Sequence, residues 1–146
     1  FDTQQRARAF AAALEARGVT PAPGQIEMGD YSLEWGKEWA LRMSRKGKLA
    51  GAVLAANDKI ACGIMHAAAD LRVLVPDQLR VVGFNDSQIS RLVRPRLSTV
   101  ALPMAELGAL AVRTLVRRIE QPNAEAHCVK LPTKLLIRES STAVHF

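Results

Sequence analysis

Short apolar runs that alternate with helical patterns constrain the fold of this chain more than any other feature of its sequence. Gly51 to Ala55 is a continuous run of small apolar residues, and Leu79 to Phe84 is apolar except for Arg80. Such runs are typical of strands that are buried on both faces of a sheet. In the segment 7–14, by contrast, apolar residues recur at i, i+3, i+4 and i+7, which predicts an amphipathic helix. The alternation predicts an α/β fold, with a parallel sheet and helices on both of its faces.

The complete pattern predicts helical segments and strands in alternating order. The helices are predicted at residues 2–17, 32–46, 57–71, 89–93 and 103–121. The strands are predicted at residues 25–28, 51–55, 79–84, 97–101 and 129–137. Asp2, Ser32 and either Asn57 or Asp58 are expected to cap their helices. Pro132 interrupts the last strand, which we therefore expect at the edge of the sheet.

Polar turns follow three of the predicted strands. They are Met28-Gly29-Asp30-Tyr31, Ala56-Asn57-Asp58 and Gly83-Phe84-Asn85-Asp86. In open parallel sheets, ligands bind in the crevice beyond the carboxyl ends of the strands. The aspartates in these turns suit ordinary capping, and their oxygens also suit hydrogen bonds to hydroxyl groups. We therefore expect the second and third turns to hold a small molecule, in a sensor rather than an enzyme.

Sequence patterns that carry catalytic chemistry are missing. The chain has no G-x-G-x-x-G, P-loop, H-E-x-x-H or G-x-S-x-G segment, and no carboxylate pair with an evident split between acid and base. Cys62 and His66 are four residues apart on one predicted helix and could offer two metal ligands. Two ligands do not close a site, so we prefer a packing or subunit-contact face. We expect no enzyme activity, no cofactor and no metal.

Size, charge and cysteine content narrow the class of protein further. The 146 residues suit one domain, and the hydrophobic share of 49% supports a packed core. The net charge of +6 is spread along helices beside acidic residues, except at Arg91, Arg94 and Arg96. No aromatic residue interleaves with that cluster, which argues against direct contact with nucleic acid. Two cysteines without a C-x-x-C pair fit a reducing compartment such as the cytoplasm, and no apolar run is long enough for a membrane helix.

A set of short segments resembles a known family. In chain order, they are Ala56-Asn57-Asp58, Leu71-Arg72-Val73, Val75-Pro76-Asp77, Val81 to Asp86, Pro95 to Val100, Glu106-Leu107-Gly108 and Leu135 to Ser140. Each segment alone is weak, but together they cover most of the chain in a consistent order and spacing. On these residues the chain resembles bacterial transcription regulators of the lactose-repressor/galactose-repressor (LacI/GalR) family.

The resemblance implies a periplasmic-binding-protein type I sensor domain, in which two α/β lobes hold an effector in the cleft between them. This chain resembles the second half of such a domain. Residues 1–102 would form the three-layer, parallel-sheet C-terminal lobe, residues 103–125 a helix that contributes to the N-terminal lobe, and residues 126–146 the returning strand and tail. Because the chain opens at Phe1 directly with helix-forming residues, we interpret it as a piece of a longer protein. The family's DNA-binding helix-turn-helix would precede it.

Four ligand contacts follow from the same resemblance. Arg6 matches an arginine that grips oxygens of the effector, although it could be an ordinary surface arginine of the helix. Tyr31 matches an aromatic residue that stacks on the ligand ring, with a half-buried aromatic at a strand end as the alternative. Asn57 matches a ligand-bonding asparagine and could also be a plain helix cap. Asn85 is the fourth expected contact.

Asn85 departs from the family pattern, because many relatives carry an aspartate here that accepts hydrogen bonds from sugar hydroxyls. An asparagine keeps one acceptor, adds donors and removes a charge. Beside Arg6, this leaves a more positive pocket and favours an effector with a carboxylate or phosphate, such as a sugar acid, over a neutral sugar. The neighbouring Asp58 and Asp86 are expected to act as caps.

The resemblance also implies macromolecular partners. Relatives form two-fold dimers through surfaces that match the helix 60–69 and the segment 89–96, although the helix could simply pack on the sheet. The residues expected at a homodimer interface are Cys62, Met65, His66, Arg91 and Arg94. The expected function is effector sensing in a cytoplasmic regulator that binds operator DNA through its helix-turn-helix. A periplasmic sugar-binding or chemoreceptor protein of the same fold is the alternative.

Overall fold

The computed structural model describes residues 2–125 and 127–142, with side chains from residue 4 onward. The helices are α1 (Asp2–Glu15), α2 (Leu33–Arg45), α3 (Asp58–Asp70), α4 (Gln88–Leu92) and α5 (Met104–Glu120). The strands are β1 (Gly51–Leu54), β2 (Leu79–Asn85), β3 (Ser98–Ala101) and β4 (Lys134–Leu136). The predicted helices are confirmed, with small differences at their ends. The side chain of Asp2, a predicted cap, and residues 126 and 143–146 of the predicted tail lie outside the described part.

The sheet has the order β1-β2-β3-β4 and is parallel except at its last strand. β1 pairs with β2, with Val53 opposite Val81, and β2 pairs with β3, with Phe84 opposite Val100. β3 and β4 are antiparallel. The predicted α/β fold with a mainly parallel sheet is therefore confirmed.

β4 lies at the edge of the sheet, as predicted, but it is shorter than the predicted strand 129–137. Its pairing with β3 starts at Lys134, opposite Ala101, and ends at Leu136. Pro132 has no N–H to donate to a ladder, so regular pairing begins only after it.

The core forms where α3 packs against β2 and α2. Ala61, Ile64 and Ala68 contribute from α3, and Leu79 and Val81 contribute from β2. All five residues are at most 1% exposed. Full burial of an aliphatic side chain stabilises a fold by about 1.5–3 kcal/mol, so this cluster carries much of the stability.

Two glycines let α2 and α3 approach closely. Gly36 on α2 lies against Ile60, and Gly63 on α3 lies against Leu33. A Cβ at Gly36 would be 2.2 Å from the Ile60 carbonyl oxygen, and a Cβ at Gly63 would be 2.0 Å from the Leu33 carbonyl oxygen. Both distances are far shorter than van der Waals contact, so the two helices can cross this closely only because both positions are glycine.

β1 is more exposed than its composition predicts. Within β1 only Val53 is half-buried, and Leu54 is 46% exposed. In β2, buried Leu79 and Val81 alternate with exposed Arg80. The prediction that β1 is buried on both faces is wrong, because α3 covers one face of the sheet while the face that carries Leu54 and Arg80 is largely open.

The predicted strand at residues 25–28 is wrong. Within the described residues this segment joins no ladder, and β1 pairs with β2 alone. Gln25 instead closes a turn, with its Oε1 accepting a hydrogen bond from the Ala22 N–H at 2.7 Å. Glu27 forms an ion pair with Arg42 on α2. Side-chain contacts of a loop therefore take the place of main-chain pairing.

α5 makes little contact with the core, since none of its residues is buried. Its large apolar residues nevertheless recur at helical spacing and form one face, which we call the α5 stripe. The stripe consists of Met104, Leu107, Val112, Leu115, Val116 and Ile119, each at least 46% exposed. An apolar face of this kind is typical of a helix that packs on another surface. None of the helices in the described part is long and apolar enough to cross a membrane.

Candidate functional site

Asn57 joins two of the predicted polar turns. It is the N-cap of α3, where its Oδ1 accepts a hydrogen bond from the Ile60 N–H at 2.8 Å. Its Nδ2 donates to the carbonyl oxygen of Tyr31 at 3.0 Å, and the residue is 8% exposed. Asn57 therefore caps α3 and also fixes the loop before α2 beside the end of β1.

Arg6 reaches the same edge of the sheet from α1. Its Nη1 donates to the carbonyl oxygen of Ala56 at 2.9 Å, and its guanidinium carbon lies 4.5 Å from the centre of the Phe84 ring. A cation over an aromatic face is attracted by about 0.5–1 kcal/mol at an exposed site. Arg6 is half-buried, and it contacts both the chain after β1 and the residue before the end of β2.

Asn85 is the last residue of β2 and lies opposite Ala101 on β3. It is exposed and has a φ of 108°, and the following Asp86 has a φ of 52°. Asparagine and aspartate adopt positive φ more readily than most other non-glycine residues. Tyr31, held through its carbonyl by Asn57, is 46% exposed. The four predicted contact residues thus surround one edge of the sheet, beyond the carboxyl ends of β1 and β2.

Asp58 is not the cap that the sequence predicts, because Asn57 takes that role. Its carboxylate is buried, at 1% exposed, and it contacts the next two strands. Oδ2 accepts hydrogen bonds from the Ser87 N–H at 2.6 Å and the Ser87 hydroxyl at 2.8 Å, and Oδ1 accepts one from the Thr99 hydroxyl at 2.6 Å. A buried charge is tolerated only with such donors. Asp58 therefore ties the turn after β1 to the turn after β2 and to β3.

Gly83 leaves the space that Asp58 fills. A Cβ at Gly83 would lie 2.4 Å from Asp58 Oδ1 and 2.9 Å from Leu97 Cδ2. The sequence places Gly83 in a ligand-binding turn, but the structure shows that it packs beneath that turn. The requirement for glycine here comes from close approach.

Asp86 is not a helix cap either, since Ser87 is the N-cap of α4. Its Oδ1 accepts hydrogen bonds from Arg138 Nη2 at 2.6 Å and Ser90 Oγ at 3.0 Å, and its Oδ2 accepts one from Arg91 Nη2 at 2.6 Å. Burial alone would raise the pKa of Asp86, but these hydrogen bonds outweigh it and lower the pKa to about 2. Sequence patterns missed this network, because Arg138 is 52 positions away along the chain.

The lowered pKa of Asp86 predicts a loss of stability in acid. A carboxylate whose pKa is lower in the folded chain stabilises the fold above its unfolded pKa, so this contribution is complete above about pH 4 and disappears toward about pH 2. We expect Asp86→Asn to lower the free energy of unfolding by roughly 1–2 kcal/mol at neutral pH, allowing for solvent around the exposed Arg91, and by less than half of that near about pH 2.5. Urea unfolding of both chains at the two pH values measures the difference. A difference that does not change with pH would contradict this assignment.

Cys62 and His66 lie close together on α3. The Cys62 Sγ and His66 Nε2 atoms are 3.6 Å apart, and no group of three metal-ligating side chains occurs among the residues that the structure describes. Burial, followed by the nearby charge of Asp58, raises the pKa of the Cys62 thiol. A buried, protonated thiol packs like a small apolar side chain. The packing interpretation therefore fits Cys62.

The residues predicted at a dimer interface differ in their exposure. Cys62 and Met65 are 1% and 4% exposed and offer little surface to a partner. His66, Arg91 and Arg94 are exposed. Met65 and Arg94 also line an open groove of about 350 Å³. Of the five predicted interface residues, the structure therefore leaves three on the surface.

Known proteins resemble this chain in both sequence and fold. The chain matches the family model of the periplasmic binding protein-like domain over residues 2–141. It is 28% identical to catabolite control protein A of Priestia megaterium over 137 aligned residues. The alignment covers 94% of this chain and 41% of that protein. The crystal structure of the lac repressor dimer bound to operator and the anti-inducer ONPF has a TM-score of 0.86 at 27% identity, over 96% of this chain and 48% of the repressor chain. A complex of the transcriptional regulator CelR with cellobiose has a TM-score of 0.84 at 26% identity, over 90% of this chain and 40% of that chain.

The matches cover nearly all of this chain but less than half the length of these relatives. They agree with the mainly parallel sheet, and they confirm the LacI-type sensor fold expected from the sequence. The chain therefore belongs to the lactose-repressor/galactose-repressor family of transcription regulators, and it corresponds to part of the periplasmic binding protein-like domain of that family.

Proposed function

We propose that this chain is the effector-sensing part of a bacterial transcription regulator, and that its effector is a sugar or a sugar acid. The observation that carries the proposal is the convergence of Arg6, Tyr31, Asn57 and Asn85 at the carboxyl edge of the sheet. Ligands of open α/β sheets bind at this edge. The CelR complex, which contains a sugar, and the lac repressor complex, which contains an anti-inducer, support the proposal.

The groups at this edge suit a molecule with many hydroxyl groups. The Arg6 guanidinium offers several donors in a fixed plane, and the Asn85 amide offers both donors and an acceptor. Tyr31 supplies aromatic surface on which a sugar ring can stack. Asn57 keeps one N–H and one lone pair beyond its hydrogen bonds to Ile60 and Tyr31.

A negative charge on the effector is favoured by the same arrangement. Asn85 is uncharged, and the Arg6 guanidinium lies over the ring of the preceding Phe84. The carboxylates of Asp58 and Asp86 are turned toward donors within the fold. The local charge offered to a ligand is therefore positive, and we propose a sugar acid as the preferred class.

The complete regulator is proposed to be a cytoplasmic homodimer that binds operator DNA. The lac repressor structure, a dimer bound to operator, supports this assembly. On this chain, the exposed His66, Arg91 and Arg94 provide the surface, and a two-fold dimer suits a palindromic site. The periplasmic sugar-binding alternative is less favoured, because the similar proteins are transcription regulators.

The division into lobes is also a proposal. Residues 1–102 would form the C-terminal lobe, residues 103–125 a helix that contributes to the N-terminal lobe, and residues 126–146 the returning strand and tail of the C-terminal lobe. The exposed α5 stripe supports the middle assignment, because an apolar helix face of this length is expected to be covered in the complete protein.

A thermal-shift screen of the complete regulator, followed by calorimetry of the same protein, tests the proposed effector class. The screen contains neutral sugars, including glucose and cellobiose, and sugar acids, including glucuronate and gluconate, since a ligand that binds the folded state raises the melting temperature. We expect sugar acids to give the larger shifts. Calorimetry then compares glucose with glucuronate, which differ only at carbon 6, and glucuronate should bind more tightly.

Variants at two arginines of α1 assign the binding site. Arg6→Ala should weaken binding of the preferred sugar acid by about tenfold or more, which corresponds to roughly 1.4 kcal/mol. Arg8→Ala, at an exposed position of the same helix, is the matched control and should leave binding unchanged. Asn85→Asp should weaken binding of the acid, because it returns a negative charge to the edge.

Different results would contradict different parts of the proposal. The absence of any shift with sugars and sugar acids would contradict the effector class. Equal or tighter binding of the neutral sugar would contradict only the preference for an acid. An Arg6→Ala chain that does not fold would make Arg6 a structural residue.

A further inference from the structure

The turn after β2 has a backbone conformation that needs support from its surroundings. Asn85 and Asp86, two consecutive residues other than glycine, both have positive φ, at 108° and 52°. Such conformations persist in folded proteins only where neighbouring contacts over-determine them. The contacts made by Asp86 are therefore expected to decide how the side chain of Asn85 is presented.

Arg138 forms the better-buried of the two ion pairs of Asp86. Its Nη2 donates to Asp86 Oδ1 at 2.6 Å, while its Nη1 donates to Ser90 Oγ at 3.0 Å and to the Leu97 carbonyl oxygen at 2.8 Å. The side chains of Arg138 and Asp86 are 16% and 10% exposed, whereas that of the second arginine partner, Arg91, is 65% exposed. Charge-assisted hydrogen bonds are strongest where water is excluded.

The main chain at Arg138 is fixed as firmly as its side chain. Its N–H donates to Ser98 Oγ at 2.7 Å, and the same hydroxyl lies 3.0 Å from the Arg138 carbonyl oxygen. Arg138 follows β4, the strand by which the chain returns from α5. Through this residue, the returning segment is bonded to β3 and to the turn after β2.

We propose that Arg138 and Asp86 are positioning residues for Asn85. Their ion pair holds the turn after β2 in the conformation that presents Asn85 at the carboxyl end of β2. The same ion pair couples this turn to the segment that returns from α5. This inference rests on the proposed function in one respect, the role of Asn85 as an effector contact. Because coupling is reciprocal, a ligand that contacts Asn85 and a displacement of the returning segment would affect each other through this pair.

Residue-specific NMR of this chain tests the positioning role without any ligand. The one-bond Cα–Hα coupling reports the sign of φ, so it follows Asn85 and Asp86 directly. We expect Arg138→Met to change this coupling at both residues, and to leave the signals of the core residue Ala61 unchanged. The matched control is Arg96→Met, which removes a nearby arginine whose partner is Glu139 and leaves the Asp86 pair in place.

An Arg138→Met chain with unchanged couplings at Asn85 and Asp86 would overturn the proposal. If this variant does not fold, Asp86→Asn decides the question in the same way, since it keeps the shape of the side chain and removes the ion pair. Couplings that change equally in Arg96→Met would also overturn it, because the effect would then not be specific to the Asp86 pair.

Calorimetry of the complete regulator with the preferred sugar acid is the second readout and separates the two proposals. We expect Arg138→Met to weaken binding by about fivefold to tenfold, with Asn85 misplaced. If the φ of Asn85 changes but the affinity for the sugar acid stays the same, Asn85 is not an effector contact, while the positioning role of Arg138 and Asp86 stands. If the complete regulator without substitutions binds no sugar or sugar acid, the proposed function fails, and the NMR couplings of this chain still decide the positioning role.

Discussion

A Gly63→Ala variant is expected to lose about 2–3 kcal/mol of unfolding free energy. This loss is a large part of the total free energy of unfolding of a small domain. The new methyl group would be 2.0 Å from the Leu33 carbonyl oxygen and 2.9 Å from the Lys37 nitrogen. These are main-chain atoms of α2, so the clash is relieved only if α2 and α3 move apart. That movement opens the packing around Ile64, which is 1% exposed. The better helix propensity of alanine, about 0.8–1 kcal/mol, offsets only part of this loss.

Gly108→Ala on α5 is the matched control for this prediction. A Cβ at Gly108 meets no atom within 4 Å, so the same substitution should leave the unfolding of the core unchanged. Urea unfolding followed by the fluorescence of Trp35 and Trp39, which both lie on α2 and pack against the core, measures the effect. A Gly63→Ala chain as stable as the original would show that the two helices can separate without cost.

Removal of the buried carboxylate in Asp58→Ala is expected to cost about 3 kcal/mol or more, since each buried donor left unsatisfied costs roughly 1–3 kcal/mol. The main-chain N–H and hydroxyl of Ser87 and the hydroxyl of Thr99 all donate to this carboxylate. Without it, the turns after β1 and β2 lose their common acceptor. The cavity left beside Gly83 adds to the loss.

Two further substitutions show whether the donors or the charge matter. Asp58→Asn keeps one carbonyl oxygen but turns an N–H₂ group toward donors, so its cost should be intermediate. Asp70→Ala is the control, because Asp70 pairs with Lys37 at 3.4 Å on the surface and is 64% exposed, where a pair contributes about 0–1 kcal/mol. Urea unfolding of the three variants measures the order. An Asp58→Ala cost no larger than that of Asp70→Ala would contradict the role given to Asp58.

The parts of this fold that could be predicted from the sequence are those set by local patterns. Apolar periodicity placed the helices, and Ser32 signalled the start of α2, where its Oγ accepts a hydrogen bond from the Trp35 N–H at 3.0 Å. Pro132 signalled an edge strand, and β4 lies at the edge. Each of these signals acts within a few residues of its position.

The errors arose where a distant contact decides the outcome. The composition of β1 predicts burial on two faces, but Leu54 is 46% exposed because the described part leaves much of its side of the sheet open. Residues 25–28 have a suitable composition for a strand, but in the described part of the chain they join no ladder. Composition indicates whether a segment suits a buried or paired strand. Whether another element covers the segment or pairs with it depends on the rest of the fold.

At the site, the polar turns could be predicted from the sequence, but the role of each residue within them could not. Asn57 and Asp58 are both good capping residues, and only the structure shows that Asp58 bonds Ser87, 29 positions away. Asp86 likewise bonds Arg138 across 52 positions. The one local signal was Gly83, since a glycine within a strand often marks the close approach of another group.

The exposure of α5 implies that this helix opens at a lower free energy than the core of the same chain. None of its residues is buried, and an isolated helix of 17 residues is only marginally stable in water. α5 can therefore fray and re-form while α3 and the sheet remain folded, and its amide hydrogens would exchange through that local opening rather than through global unfolding. Total helix content then follows a mixture of two processes, whereas Trp35 and Trp39 follow the core alone. A single melting temperature describes the core of this chain but not the whole of it.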